Sequence, residues 1–238
     1  MILKANTNIT SETDFMEGQV LLFNKPLGWS SFDVVKKVRN IIKSAKNIRK
    51  IKVGHAGTLD PLADGLLIVC SGRFTKRIDE IQGQIKVYTG ELTLGGTTPS
   101  YDKETEIDEV FETSHITEEL IHSTCKEFEG KIMQKPPIYS ALKREGKRLY
   151  QHAREGTKVK IESREVEVQS LKITSIQMPT ITFEVICSKG TYIRSLAYDY
   201  GKSINSGAHL SKLTREKIGN FSLEDAISID SFKENILK

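Results

Sequence analysis

Apolar and polar positions along the chain follow two patterns, and the first predicts strands. Residues 19–24 (QVLLFN) and 66–70 (LLIVC) are short, nearly continuous apolar runs, as in covered strands. Residues 85–94 alternate with a period of two, which is typical of a strand with one buried face. Residues 164–175 and 181–188 look like two further strands of one sheet.

The second pattern has the helical period. Ser30 or Ser31 can cap a helix, and Thr117 can cap another over residues 117–128. Residues 193–204 and 223–227 also suit helices. Strands and helices mix without regular β-α-β alternation, which favours an α+β fold over a doubly wound sheet. The apolar face of the first helix consists of Val34, Val38, Ile41, Ile42 and Ala45.

Length and composition limit the class of protein. A chain of 238 residues suits one large domain or two small ones, and 38% hydrophobic with 28% charged residues is ordinary for a globular protein. No apolar run reaches the roughly 18 residues that span a bilayer. Residues 1–17 lack the features of a secretory signal and are interpreted as a polar N-terminal tail. Three widely spaced cysteines suggest neither a disulfide framework nor a zinc site, so the cytoplasm is the default compartment.

Charge is distributed unevenly along the chain. Residues 36–52 carry eight positive side chains and no acid, and residues 131–160 are also basic, whereas residues 102–129 are acidic. A polyanionic partner such as a nucleic acid would explain this segregation, and so would solvated helix faces.

The densest unusual stretch is residues 54–65, which read GHAGTLDPLADG. Glycines let a backbone approach a ligand, and Pro61 drives Asp60 towards an extended conformation. This combination favours a carboxylate held on a stiff loop beside the strand at residues 66–70. An ordinary Asp-Pro turn remains the alternative.

Three other stretches can carry chemistry. Tyr192 and Arg194 lie where a predicted strand passes into a predicted helix. In extended chain both would point to one face, where they could hold a ring and a carboxylate. The alternative is a helix start with an exposed arginine. Tyr88 could stack on a base or be a half-buried strand residue. The insert at residues 131–156 interleaves basic residues with tyrosines, as in RNA contacts or an ordinary basic loop.

Taken together, these stretches resemble the bacterial tRNA pseudouridine-55 synthase family, the TruB type. The match runs in the family's order over roughly residues 18–222. The segments that carry it are VLLFNKPLGWSSFDVV, GHAGTLDPLADGLL, KVYTGELTLG, PPIYSALKREGKRLYQHAREG, CSKGTYIRSLAYDYG and GAHLSKLTREKIGNF.

The resemblance implies a pseudouridine synthase fold, with a mixed, mostly antiparallel sheet flanked by helices. It implies conversion of uridine 55 in the T-loop of tRNA to pseudouridine, with no metal and no organic cofactor. Asp60 matches the catalytic aspartate, and Tyr192 and Arg194 match the active-site tyrosine and the arginine that pairs with that carboxylate. The resemblance also assigns substrate-binding or supporting roles to His55, Tyr88, Leu213 and Lys25.

The chain departs from the family pattern in three places. Thr98-Pro99 replaces a Thr-Asp pair, and Thr214-Arg215 replaces a double arginine expected to contact phosphates. We also expect no C-terminal PUA domain, which many relatives of this type carry. We therefore expect one catalytic domain at residues 18–238, whose insert at 131–156 clamps the RNA. The expected partner is the T-stem-loop of tRNA; no membrane and no metal are expected, and the protein should be a monomer.

Three other readings remain open at this point. An RNA chaperone that refolds tRNA would explain the basic insert but not the glycine-flanked Asp60. A hydrolase of N-glycosidic bonds would want a second working carboxylate, and the only nearby acid is Asp64. The third reading is a pseudouridine synthase that acts on an RNA other than tRNA. The resemblance does not decide whether Asp60 acts as a nucleophile or as a base.

Overall fold

A computed structural model describes residues 9–157 and 159–237, and these contain thirteen strands and six α-helices. Short 3₁₀ helices span Gly72–Arg77, Lys126–Phe128 and Leu223–Asp225. The strands and α-helices, in chain order, are β1 Val20–Lys25, α1 Ser31–Ala45, β2 Val53–His55, β3 Ala63–Ser71, α2 Ile78–Gln82, β4 Lys86–Leu94, β5 Gly96–Thr97, β6 Glu109–Val110, α3 Glu118–Cys125, β7 Gly130–Gln134, β8 Lys143–Arg144, β9 Lys147–Arg148, α4 Leu149–Arg154, β10 Arg164–Gln177, β11 Thr180–Cys187, α5 Ile193–Ser203, β12 Ala208–Ile218, β13 Phe221–Ser222 and α6 Ile229–Leu237.

The chain divides into two compact units. The first unit comprises Met1–Tyr88 and Leu213–Lys238, and the second comprises Thr89–Lys212. β4 and β12 contribute residues to both.

The first unit is built on a sheet in the order β1-β3-β12. β1 and β2 each pair with β3 in antiparallel fashion, whereas β12 runs parallel to β3 with Leu213 opposite Ala63. Helix α1 packs Val34, Val38 and Ile42 into the core beside this sheet. Its N-terminus carries a capping box in which Ser30 and Asp33 bond each other's backbone, an arrangement that stabilises a helix by about 1 kcal/mol.

Part of the segment interpreted as a polar tail packs against this core. Ile9 and Phe15 are buried, and the Phe15 ring meets Phe232 of α6 edge-on at 6.1 Å between centroids. Apolar residues isolated among polar neighbours give no periodic signal, so the sequence pattern does not reveal this packing. Residues 1–8 of the expected tail lie outside the described residues.

The second unit contains strands in the order β4-β11-β10-β7. β10 pairs antiparallel with both β11 and β7. Phe183 of β11 and Leu196 of α5 are buried in its core. The Tyr200 hydroxyl of α5 donates to the Ile121 carbonyl of α3 at 2.6 Å, and this hydrogen bond joins the two helices. The architecture is α+β with mostly antiparallel pairing, as the sequence predicts.

The predicted elements are confirmed with one error, and several elements of the structure were not predicted. The helix predicted at residues 223–227 is wrong: only a 3₁₀ turn forms, and Ile227 bonds Leu22 and Asn24 of β1 through its backbone. The sequence pattern also missed α6 and β12. In β12 the buried positions include His209 and Arg215, whose polarity hides the alternation of a strand.

Candidate functional site

The loop that carries Asp60 connects β2 to β3 in the first unit and is fixed by short hydrogen bonds. The Ser31 hydroxyl accepts from the Leu59 amide at 2.8 Å and donates to the Leu59 carbonyl at 3.0 Å. The Gly28 amide donates to the Pro61 carbonyl at 2.8 Å. These contacts tie the loop to the start of α1 and leave Asp60 half-buried.

Arg215 of β12 supports the same loop from within the unit. Its Nε donates to the Leu66 carbonyl of β3 at 2.8 Å, and its Nη2 and Nη1 reach the Gly57 and Thr58 carbonyls at 3.1 and 3.4 Å. The side chain is 1% exposed. Because this guanidinium faces the interior, it is not placed to make a phosphate contact of the kind expected from the double arginine of the family pattern.

Lys25 is a second buried cation in the first unit. Its ammonium donates to the carbonyls of Pro26 at 3.0 Å and Trp29 at 2.6 Å. Burial lowers the pKa of Lys25 to about 8, and the nearby negative charges of Asp64 and Asp60 oppose that shift. Lys25 is thus still largely protonated at neutral pH and is placed to attract the carboxylates of the loop.

The other expected substrate-binding residues of the first unit are also covered. Burial lowers the pKa of His55, and the charge of Arg215 adds to this shift, so the imidazole is neutral at pH 7. Tyr88 on β4 and Leu213 on β12 are each 8% exposed. Both therefore present little surface to solvent.

Arg194 is a buried cation of the second unit that makes several polar contacts. It lies in the first turn of α5, and its guanidinium donates to the carbonyls of Ser100 at 3.0 Å and Tyr139 at 2.9 Å. Its Nε lies 3.5 Å from the Asp102 carboxylate, and both side chains are almost fully buried. Asp102 also accepts from the Ser100 hydroxyl at 2.6 Å. Arg194 therefore joins α5 to the loop at Ser100 and to the basic insert.

Tyr192 occupies the N-cap position of α5 without a side-chain capping bond and is held through its backbone. The Gln134 side chain accepts from the Tyr192 amide at 2.7 Å and donates to the Tyr192 carbonyl at 3.0 Å. The guanidinium of Arg164 lies over the Tyr192 ring, 4.9 Å from its centroid. Because α5 begins directly after Tyr192, this tyrosine and Arg194 do not share one extended strand face as the sequence pattern suggested.

The basic insert at residues 131–156 forms β7, the small β8–β9 hairpin and α4. Its first part is anchored, since the Ser195 hydroxyl donates to the Lys135 carbonyl at 2.7 Å. Its cations face solvent, and several pair with acids on the surface. Lys135, Lys143 and Arg148 make no ion pair with any described residue.

The structure thus brings Lys25 near Asp60 and His55 near Arg215 in the first unit. In the second unit it joins Tyr192 and Arg194 to the insert. Sequence reasoning missed two residues that support the site. The sequence analysis noted Arg215 only as part of the Thr214-Arg215 pair, and Asp102 only as the first residue of the acidic stretch at 102–129. The sequence held no signal for the role of Arg215, because its burial and its pairing with Gly65 are known only from the fold.

The described residues contain neither a metal-binding cluster nor a helix able to span a membrane. No group of three or more histidine, cysteine, aspartate or glutamate side chains in residues 9–157 and 159–237 is placed to hold a metal ion. Within the same ranges, no helix combines the length and apolarity required to cross a membrane. The three cysteines Cys70, Cys125 and Cys187 are free and buried.

Comparison with known families and proteins gives a consistent match. The sequence model described as "TruB family pseudouridylate synthase (N terminal domain)" matches residues 43–193. A "tRNA pseudouridine synthase B" from Flavobacterium johnsoniae is 56% identical over 94% of this chain and 98% of its own length. A protein with the same name from Parabacteroides distasonis is 52% identical over 94% of this chain and 97% of its own length.

Solved structures agree on the fold. A chain in the crystal structure of a Cbf5-Nop10-Gar1 complex superposes with a TM-score of 0.68 at 27% identity, covering 98% of this chain. This chain spans 60% of the length of that protein. Together with the family match, the similarity confirms the expected pseudouridine synthase fold.

Proposed function

The chain belongs to the TruB family of pseudouridylate synthases, and on that premise we propose that it converts uridine 55 in the T-loop of tRNA to pseudouridine. The coarser activity, pseudouridine formation in tRNA by an isomerase, follows from the shared name of relatives that match nearly the whole chain. The observation that carries the finer proposal is the fixed loop that presents Asp60.

The reaction rearranges bonds and consumes nothing. It breaks the N1–C1′ bond of the uridine, turns the base and joins C5 to C1′. C5 then loses its proton, and N1 gains a proton. No electrons are gained or lost, so one ionised carboxylate suffices in principle. Asp60 would attack the ribose or base as a nucleophile, or remove a ribose proton as a base.

Each remaining site residue has a role that its chemistry supports. Arg194 would favour the ionised form of the Asp60 carboxylate and orient it, because a planar guanidinium is suited to paired oxygens. Tyr192 would pack against the base and assist proton transfer at C5. His55, neutral at pH 7, and Lys25 would support the substrate side of the loop.

The target base must leave its stack before it can react. Extrusion costs a few kcal/mol, and stacking on Tyr88 would return roughly 1–3 kcal/mol. Leu213 would line the same pocket. The insert at residues 131–156 would clamp the T-stem-loop through its exposed cations, and residues 36–52 would add phosphate contacts, which makes affinity dependent on salt. We place the reaction in the cytoplasm, carried out by a monomer.

The test uses pure protein and unmodified tRNA transcript, with pseudouridine mapped along the RNA. We expect modification at position 55 and none in a transcript that carries cytidine there. Pseudouridine only at other positions, or in another RNA alone, would overturn the assignment. Release of free uracil would instead indicate a hydrolase.

A further inference from the structure

Arg215 is a buried cation whose described partners are all main-chain carbonyls. It is 1% exposed, and it makes no ion pair with a carboxylate anywhere in residues 9–157 and 159–237. Burying a guanidinium without a counter-charge is costly, and an apolar side chain of similar length could fill the same space. The function of Arg215 must therefore come from the hydrogen bonds that its guanidinium donates.

Those donors link a rigid strand to the loop before Asp60. Nε bonds the Leu66 carbonyl within β3 at 2.8 Å, while Nη2 and Nη1 bond the Gly57 and Thr58 carbonyls at 3.1 and 3.4 Å. The planar fork of a guanidinium makes these bonds in fixed directions, which one ammonium group cannot do. These bonds fix the position of the main chain at Gly57 and Thr58, just before Asp60, relative to β3.

Gly65 explains how Arg215 reaches this position. The two residues are register partners in the parallel pair of β3 and β12. Gly65 has φ +98°, and a Cβ there would lie 2.5 Å from the Arg215 carbonyl oxygen and 2.7 Å from its nitrogen. Only a glycine admits the backbone of β12 this closely, and that approach brings the Arg215 side chain under the loop.

The other carbonyls of the loop have partners of their own. Ser31 bonds Leu59, the Ala63 amide bonds the Asp60 carbonyl at 3.1 Å, and the Gly28 amide bonds the Pro61 carbonyl at 2.8 Å. Every main-chain carbonyl from residue 57 to residue 61 thus accepts a hydrogen bond, and Arg215 supplies two of the five.

We propose that Arg215 is a positioning residue for pseudouridine formation: by holding the Gly57 and Thr58 carbonyls, it fixes where the loop presents the Asp60 carboxylate. This inference rests on the proposed role of Asp60. It replaces the phosphate contact that the sequence suggested, and the two ideas make opposite predictions. A phosphate contact acts on tRNA affinity, whereas a positioning residue acts on the rate of the bound complex.

The experiment compares Arg215→Met with Arg215→Lys and measures tRNA affinity, thermal stability and the single-turnover rate at saturating enzyme. Misplacing a catalytic group by about 1 Å costs on the order of 100-fold in rate, and we expect that loss for Arg215→Met with affinity within about threefold of wild type. Arg215→Lys retains the charge and guards against failure to fold; we expect it to lose less than Arg215→Met.

Phe232→Leu is the matched control, because Phe232 lies in the core of the same unit and makes no described contact with the loop. It should lower thermal stability while keeping the single-turnover rate. A rate loss for both Arg215 variants no larger than that of this control, or weaker tRNA binding with an unchanged rate, would overturn the inference. Failure of the wild-type protein to modify uridine 55 would instead refute the proposed function.

Discussion

The loop that carries Asp60 and the basic insert are held in opposite ways. The loop is fixed by buried donors, notably the Ser31 hydroxyl and the Arg215 guanidinium. In the insert, Lys147 pairs with Glu155 at 2.9 Å and Arg144 with Glu162 at 3.2 Å, and all four side chains are about half exposed. Exposed ion pairs contribute at most about 1 kcal/mol each, so the part of the insert beyond its buried contacts with Arg194 and Ser195 is held weakly.

This difference matches what each region has to do. A group that attacks or deprotonates a substrate must be within a fraction of an ångström of its productive position, which demands rigid support. A surface that follows an RNA backbone needs charges that can adjust, and weak surface pairs exchange readily for phosphates. The chain thus separates precision in the loop from adaptability in the insert.

Apart from the loss of the Asp60 carboxylate itself, the largest effect should follow from Arg194→Lys, which removes the buried anchor of the insert. One ammonium cannot bond Ser100, Tyr139 and Asp102 together, so we expect the single-turnover rate to fall by about 100-fold or more. Rapid-quench measurement of pseudouridine checks this. Arg154→Lys, the same change at an exposed position, should keep the rate. Near wild-type rates for Arg194→Lys would mean that Arg194 does not orient the site.

An intermediate effect should follow from removing the unpaired cations of the insert together, as Lys135→Ala, Lys143→Ala and Arg148→Ala. Each lost phosphate contact lowers the salt slope by about one, and we expect tRNA affinity to fall by about 10- to 100-fold in total. The rate at saturating enzyme should change little.

A control removes the same charge outside the insert, at the exposed Lys172, Lys202 and Lys217. Affinity measured across salt concentrations separates the two variants. Equal losses in both would show that total charge, rather than the clamp, governs binding.

The smallest effect concerns Lys25 and pH. Its pKa is lowered to about 8 in the folded protein from 10.5, so between these values the unfolded chain holds a proton that the folded protein has lost. By linkage, the cost of burying the ammonium is present in full below pH 8 and disappears as pH rises towards 10.5.

The stability of the wild-type protein relative to Lys25→Met should therefore increase by about 1 kcal/mol from pH 7 to pH 9. Urea unfolding of both proteins at both pH values measures it, and groups common to the two cancel. A difference that stays constant, or moves the other way, would mean that Lys25 is not protonated and buried as described.

The sequence predicts the apolar skeleton well and the polar supports poorly. Continuous apolar runs identify β1 and β3, and Ser30 identifies the start of α1, because burial and capping are local properties. The sequence pattern does not predict β12, because Arg215 occupies one of its buried positions. No local pattern distinguishes an arginine that points inward from one that is exposed. Its role depends on the parallel pairing with Gly65, which lies 150 positions away in sequence and is known only from the fold.

The central claim is that one carboxylate on a fixed loop performs the chemistry, and Asp60→Asn tests it most directly. The amide has nearly the same shape but is neither nucleophile nor useful base. With unmodified tRNA and saturating enzyme, pseudouridine at position 55 should form at least about 1,000-fold more slowly, while folding and tRNA affinity remain as in the wild type. Substantial formation of pseudouridine by Asp60→Asn would contradict the account.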